Sequence, residues 1–476
     1  MNPIVTPAKQ FIFTSYSFDR VTGEVELKYA IDADEFVEKL TFPIPATGIP
    51  DGIDDELDRA LLTLHLVAGV SYYKAKLPPE IVVKSGELSR EQAEFWNKLY
   101  TLGLGEFFYR NGMDFRGYVQ FPVSEGQTPS PSSRGFDGQA SSPSPFAPSE
   151  LRSDRLVQGE GRNLMRFGAL LPIGGGKDSL VAVEMLRVAN VPFDLVMFGN
   201  HSRIREVASE VGKPLMSIAR TMDPKLMELN KAGAWNGHVP ITAYVGIASV
   251  IVALLYGKRD VVFANERSAN SGNAEFEGVM INHQYSKSLE AEKDLQEYLL
   301  NFVTPNVRMF SLLRPLSELD IARRFAGNGR YFGVFSSCNT NFKQGGVPTV
   351  TRWCGKCPKC TFVFATLGAF IPRRKMVEMF GEDVLMNECL LSMYKDLTGY
   401  GTMKPFECVG EFEEVIAALA LIHGRGEYED SPIMKWFEAE VMAMRKDIDA
   451  LIDRALIIAP DHSMPEEYSK IVYASR

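Results

Sequence analysis

Residues Leu171–Leu186 read LPIGGGKDSLVAVEML. An apolar run, three glycines, a Lys-Asp-Ser triplet and an apolar-periodic stretch describe a strand, a tight loop and a helix, in that order. Gly174, Gly175 and Gly176 accept positive φ and let backbone N–H groups close around an anion. The following helix offers that anion unpaired N–H groups and the positive end of its dipole. Lys177 adds charge, and the Ser179 hydroxyl suits a phosphate oxygen. Asp178 falls in the first helical turn, where a carboxylate is favoured. It can cap the helix or help hold Mg²⁺ on the phosphates. The common nucleotide loop, G-x-x-x-x-G-K-[ST], places Ser or Thr directly after Lys. Here Asp178 stands between Lys177 and Ser179.

Strand, glycines, K-D-S and helix in this order resemble the PP-loop of ATP pyrophosphatases, S-G-G-x-D-S. Gly175, Gly176, Asp178 and Ser179 carry the match. Gly174 departs from it, standing where that family commonly has a Ser, so one hydroxyl donor is missing. The resemblance implies cleavage of ATP between the α and β phosphates, adenylation of a substrate oxygen and loss of pyrophosphate. It also implies the fold class: α/β, with a parallel sheet of the PP-loop ATP pyrophosphatase (adenine nucleotide alpha hydrolase-like) type. Asn200, just after the apolar strand Asp194–Phe198, is expected near the adenine or ribose, because open α/β sheets bind ligands beyond the carboxyl ends of their strands.

The surrounding chain agrees with such a sheet. Ala169–Ile173 and Asp260–Ala264 read as short buried strands, Ser179–Ala189 as a helix, and alternation of the two types favours parallel pairing. Four regions are expected. Residues 1–122 form an N-terminal α+β domain. Phe11–Ser17 and Gly23–Ala30 alternate as antiparallel strands, and helices follow near Asp54–Lys76 and Ser89–Asn111. The second helix opens SREQ, the pattern of a capping box. Residues 123–160 are a Pro/Ser-rich disordered linker or insertion, too polar to offset chain entropy. Residues 161–372 form the ATP-binding catalytic domain. Residues 373–476 are mainly helical, with segments near Glu411–His423 and Pro432–Leu456.

Composition narrows the function classes. With 60 acidic against 51 basic residues the net charge is −9, which argues against a nucleic-acid partner. The N-terminus has no signal-peptide core. The longest apolar run, Ile241 to Tyr256, is too short for a bilayer span and is expected to be a buried helix. Neither a membrane role nor a nucleic-acid role is expected, and the setting is taken as cytoplasmic. Six cysteines in 476 residues make no disulfide scaffold. Cys338, Cys354, Cys357 and Cys360 give C-x15-C-x2-C-x2-C, a four-thiolate set for a structural Zn²⁺. Arg352, Lys356 and Lys359 lie close enough in sequence to offset its negative charge. Cys389 and Cys408 are expected to be buried small hydrophobes. The flanks of Cys338 and Cys408 give no support to a cysteine acid/base pair.

After the strand at 260–264 come Asn265, Glu266, Arg267 and Ser268, then Asn270, and later NHQYSKS at 282–288. Arg267 suits a carboxylate or phosphate, and Glu266, His283 and Lys287 are candidate bases. Asn270 and Tyr285 are candidate substrate contacts.

GGGKDSLVAVE, ANERSAN, NHQYSKS, LRPLSEL (Leu313–Leu319), WCGKCPKC and KPFECVG (Lys404–Gly410) together resemble the MurL family, bacterial UDP-N-acetylmuramoyl-L-alanyl-L-glutamate epimerases. The resemblance runs through most of the chain outside Ser124–Glu150. It implies ATP- and Mg²⁺-dependent conversion of the terminal L-Glu of a UDP-N-acetylmuramoyl dipeptide to D-Glu, with AMP and pyrophosphate as products, for peptidoglycan. Adenylation fits the task, because an α-proton beside a carboxylate is poorly acidic and an acyl derivative loses that neighbouring charge. The nearest rival is 7-cyano-7-deazaguanine synthase, a shorter carboxylate-adenylating enzyme with a PP-loop and a four-cysteine site. A non-catalytic ATP-binding sensor is the rival from another class.

Overall fold

The computed structural model describes residues 7–124, 166–342 and 351–475. Residues 125–160 of the expected linker therefore lie outside the described residues. In chain order the strands are β1 (Gln10–Phe18), β2 (Glu24–Ile31), β3 (Asp34–Thr41), β4 (Glu80–Val83), β5 (Arg166–Pro172), β6 (Phe193–Phe198), β7 (Leu215–Thr221), β8 (Lys258–Phe263), β9 (Ala274–Phe276), β10 (Val279–Ile281) and β11 (Arg308–Ser311). Nine of them form one sheet in the order β11-β8-β5-β6-β7-β3-β2-β1-β4, and β9 and β10 form a small antiparallel pair.

The sheet is mostly parallel. β11, β8, β5, β6 and β7 all run the same way. β3 joins β7 antiparallel through Lys39–Thr221, Leu40–Arg220 and Thr41–Ala219. β2 and β1 continue the meander, and β4 closes it parallel to β1. The N-terminal strands thus extend the sheet that carries the glycine loop.

Side-chain alternation explains why these strands are apolar throughout. Ala169 and Leu171 of β5 face one core while Leu170 faces the other; Leu195 and Met197 of β6 oppose Val196 in the same way. A strand covered on both faces reads as an unbroken hydrophobic run. One cover holds helices Lys177–Val188, Glu318–Ala326, Pro358–Gly368 and Phe412–Gly424. The other holds the N-terminal helices and Ile241–Tyr256. That last helix has the expected bounds, is apolar all round, and packs on Asp54–Ala68. Among the described residues no helix is long and apolar enough to cross a membrane.

Three expected helices are interrupted. Asp54–Lys76 divides at Gly69, where a Cβ would stand 2.4 Å from the Phe13 ring. Glycine there admits that ring to the helix. Ser89–Asn111 divides at Leu104, but its capping box is present: Gln92 N donates to Ser89 Oγ at 3.3 Å, and Ser89 N to Gln92 Oε1 at 3.0 Å. Pro432–Leu456 ends its first segment at Trp436, passes through a wide turn at Phe437–Met442, and resumes at Ile448–Leu456.

Candidate active site

Chain order reverses beside β5: β6 and β7 lie on one side, β8 and β11 on the other. This is the topological switch point, where the carboxyl ends of the strands leave a crevice. The glycine loop leaves β5 into it, and the Asn265–Asn270 segment leaves β8. Gly175 has φ +86°, a conformation that glycine takes without strain, and its carbonyl accepts from Ser336 N at 3.0 Å. A Cβ on Gly174 would meet nothing within 4 Å, so the loop is open there. Gly176 caps the helix Lys177–Val188 with no side-chain bond to its first-turn N–H groups, which suits an anion. Ser179 Oγ donates to Gly176 O at 3.1 Å. Asn200, past the end of β6, is exposed and accepts from Arg205 Nε at 3.0 Å.

Lys177 turns inward. It is buried and bonds Asp178 Oδ1 at 2.5 Å as well as Glu318, the first residue of helix Glu318–Ala326. Burial works against a charge on Lys177, but Asp178 and Glu318 outweigh it and raise its pKa. Burial likewise opposes the Asp178 carboxylate, yet Lys177, Lys359 and Lys287 hold its pKa below the usual value. Asp178 thus stays ionised at the mouth of the loop. Lys359 Nζ lies 3.9 Å from Glu318 Oε1 and also donates to the Cys408 carbonyl. Glu318 N donates to Glu414 Oε1 at 3.0 Å, and burial pushes Glu414 up to about 8.

The polar middle is fixed by one buried guanidinium. Arg314 donates to Glu266 O at 2.8 Å, Lys287 O at 2.5 Å and Glu292 Oε2 at 2.9 Å. It ties the segment after β8 to NHQYSKS. Glu266 is buried. Arg267 Nη1 donates to Ile457 O at 3.1 Å, so its head meets the C-terminal region. Asn270 Oδ1 accepts from Leu289 N at 2.7 Å. Asn270, Asn282, Tyr285 and Lys293 line a cleft of about 560 Å³ beside Gly105.

Next to that cleft lies a cluster of proton-carrying groups. Glu106 is paired with His283, and its Oε2 lies 3.8 Å from His238 Nδ1; the two imidazole rings stand 4.4 Å apart. Lys287 Nζ donates to Cys408 Sγ at 3.5 Å, and His283 acts on the same thiol electrostatically. Burial opposes the His283 charge, but Cys408 and Glu106 raise its pKa to about 9. Burial and the His283 charge lower His238 to about 4. Burial would raise the Cys408 thiol, yet Lys287, His283 and Lys359 bring it down to about 7. Lys287 is raised: burial is outweighed by Cys408, Glu266 and Asp178.

Cys338, Cys354, Cys357 and Cys360 converge, with ligand sulfurs all within 4.8 Å of one another. Cys354–Cys360 and Cys357–Cys360 Sγ separations are 3.7 and 3.4 Å. A tetrahedron with Zn–S bonds of about 2.3 Å has edges of about 3.8 Å, so the set fits zinc. Backbone N–H groups of Cys354, Cys357 and Cys360 each approach a cluster sulfur at 3.4 Å.

Lys287 lies close enough to Glu266 and Asp178 for both to act on its charge, His283 pairs instead with Glu106, and Asn270 and Tyr285 line one cleft. It corrects the two remaining cysteines. Cys389 is exposed, and Cys408, half-buried, sits among charged groups rather than in an apolar core. Glu106 and His238 had no motif to announce them; the sole cue for Cys408 was its place within KPFECVG.

Sequence comparison matches the MurL N-terminal domain over residues 5–312 and the MurL C-terminal domain over residues 334–451. A protein of Xanthomonas oryzae pv. oryzae is 38% identical over 456 residues, covering 96% of this chain and 95% of its own. One from Salinispora tropica is 38% identical over 432 residues, or 89% and 87%. One from a Micromonospora species is 37% identical over 467 residues, 97% of each. All three carry the name UDP-N-acetyl-alpha-D-muramoyl-L-alanyl-L-glutamate epimerase. With both domains matched and identity of this level sustained along nearly the whole chain, the protein belongs to the MurL family.

Proposed function

We propose that the protein is an ATP- and Mg²⁺-dependent epimerase that inverts the terminal L-Glu of UDP-N-acetylmuramoyl-L-alanyl-L-glutamate, releasing AMP and pyrophosphate. The carrying observation is the near-full-length likeness to three relatives of that name. The glycine turn at the switch point of the mostly parallel sheet supports the nucleotide part of this reading.

In this reading the polyphosphate lies against the glycine loop and the first turn of helix Lys177–Val188, where N–H groups lack side-chain caps. Mg²⁺ would be held by Asp178 and would neutralise phosphate charge. Lys177 keeps Asp178 ionised and in place from beneath. Adenylation of the α-carboxylate removes the charge that opposes loss of the α-proton. Proton transfer falls to the group around His283 and Lys287, with Glu266 tied to Lys287 through Arg314. The cleft at Asn270 and Tyr285 takes part of the muramoyl peptide. Arg267 is assigned to the side-chain carboxylate of the glutamate. Cys338, Cys354, Cys357 and Cys360 hold a structural zinc.

The test incubates the protein with ATP, Mg²⁺ and UDP-N-acetylmuramoyl-L-alanyl-L-glutamate in D₂O. Substrate-dependent AMP, D-Glu after acid hydrolysis, and deuterium at its α-carbon are expected together. Inversion without nucleotide turnover would remove adenylation from the reading, and AMP without inversion would remove epimerisation.

A further inference from the structure

Cys408 carries the thiol among the described residues of the charged cluster, and the function proposed above leaves it without a task. Its surroundings form a charged cluster: Glu106 pairs with His283, Lys287 donates to Cys408, and His283 acts on the thiol electrostatically. That is the nucleophile, base and orienting carboxylate of covalent catalysis, with a second cation added. The thiol also stands near the nucleotide loop. Its carbonyl is held by Lys359, which faces Glu318, which bonds Lys177 at the base of the loop. Lys287, on its other side, acts electrostatically on Asp178.

We propose that Cys408 is a nucleophile that takes the acyl group from the adenylate, so that inversion occurs on an enzyme-bound thioester. The proposal rests on the adenylation reading. The thiolate attacks the acyl carbon; a C–S bond forms, the bond from that carbon to the phosphate oxygen breaks, and AMP leaves with the electron pair. A base removes the α-proton of the thioester, and the pair moves into the enolate. A proton from solvent returns to the other face. Water then adds to the carbonyl, the C–S bond breaks, both protons of that water pass to solvent, and the carboxylate product leaves with Cys408 again a thiolate. The sum is ATP and water to AMP and pyrophosphate, with no oxidant or reductant.

Two features favour nucleophile over base for this thiol. Two cations beside it stabilise the thiolate and so weaken it as a proton acceptor from carbon. A thiol that ionises near ambient pH is the best attacker, since it combines thiolate fraction with nucleophilicity. Acylation also removes the negative charge from between His283 and Lys287. Both are held protonated partly by that charge, so formation of the thioester releases one of them to act as base in the next step. Lys287 Nζ contacts the thiol directly at 3.5 Å, and His283 acts on it electrostatically.

The test separates the two half-reactions in Cys408→Ala and Cys408→Ser. Substrate-dependent exchange of labelled pyrophosphate into ATP reads adenylation alone; deuterium incorporation at the α-carbon in D₂O reads inversion. Both variants are expected to retain exchange within about tenfold of wild type while α-deuteration falls at least a thousandfold. Rapidly quenched wild type should carry the acyl group on the peptide containing Cys408, released by neutral hydroxylamine. Variants that still deuterate within tenfold of wild type overturn the thioester. So does loss of exchange in both variants, which would place the thiol before acyl transfer. Absence of exchange in the wild type instead overturns the adenylation reading beneath it.

Discussion

Glu106 carries two histidines in opposite states, and that contrast can be measured. His283 is raised to about 9, with burial outweighed by Cys408 and Glu106, whereas burial and the His283 charge lower His238 to about 4. A histidine whose folded pKa exceeds its unfolded value of about 6.5 stabilises fully below that value and loses the contribution as pH rises through the folded one. Glu106→Gln should therefore bring the His283 midpoint down in histidine-selective NMR. The melting-temperature gap between variant and wild type should be widest near pH 6 and close as pH passes about 9. An unchanged midpoint would mean that Cys408 alone sustains the charge. The sequence disclosed His283 and Lys287 because a polar run after a buried strand is a familiar place for a site. It concealed their partners, because those lie far away along the chain: Glu106 is 177 residues from His283, and Cys408 is 121 from Lys287. Neither pairing has a local spacing to detect.

Elements were easier to read than residues wherever local chemistry decides them. The capping box at Ser89 and Gln92 is a four-residue pattern and forms as expected. Ser89→Ala should cost about 1 kcal/mol, read from the urea midpoint, since it leaves a first-turn N–H without its acceptor. The breaks at Gly69 and Leu104 were not legible. At Gly69 the cause is a Phe13 ring from a distant strand pressing on the helix, which no helix periodicity reports. The short strand β7, with its mixed LMSIART composition, was also passed over; it is specified by its place between β6 and β3. The cysteine spacing, by contrast, did specify a converged four-sulfur set. Cys357→Ala should lose bound zinc in elemental analysis and lower the melting temperature, because a site of this kind contributes its binding energy to folding.

At the scale of the molecule, β3 and β7 are the seam. Glu38 on β3 is fully buried and takes Arg220 Nε of β7 at 2.8 Å, with the Tyr244 hydroxyl of helix Ile241–Tyr256 on the same carboxylate. Removing one partner leaves a buried charge uncompensated, so Arg220→Ala should destabilise by about 3–5 kcal/mol in equilibrium urea unfolding. The N-terminal strands and the parallel sheet share one apolar core. They should accordingly unfold in a single transition, with fluorescence and circular dichroism coincident.

Lys359 gives the four-cysteine cluster a second meaning. It lies in the first turn of helix Pro358–Gly368, between two cluster cysteines, and its ammonium holds the backbone of Cys408. Stripping the proposed zinc would loosen that grip before it unfolded the chain. A chelator could then abolish turnover in a protein that still looks native, and the loss would imitate a metal acting on substrate. Inhibition by chelation would therefore be no guide to the role of the proposed zinc. The rate at which an alkylating reagent finds Cys408, with and without metal, is the better gauge.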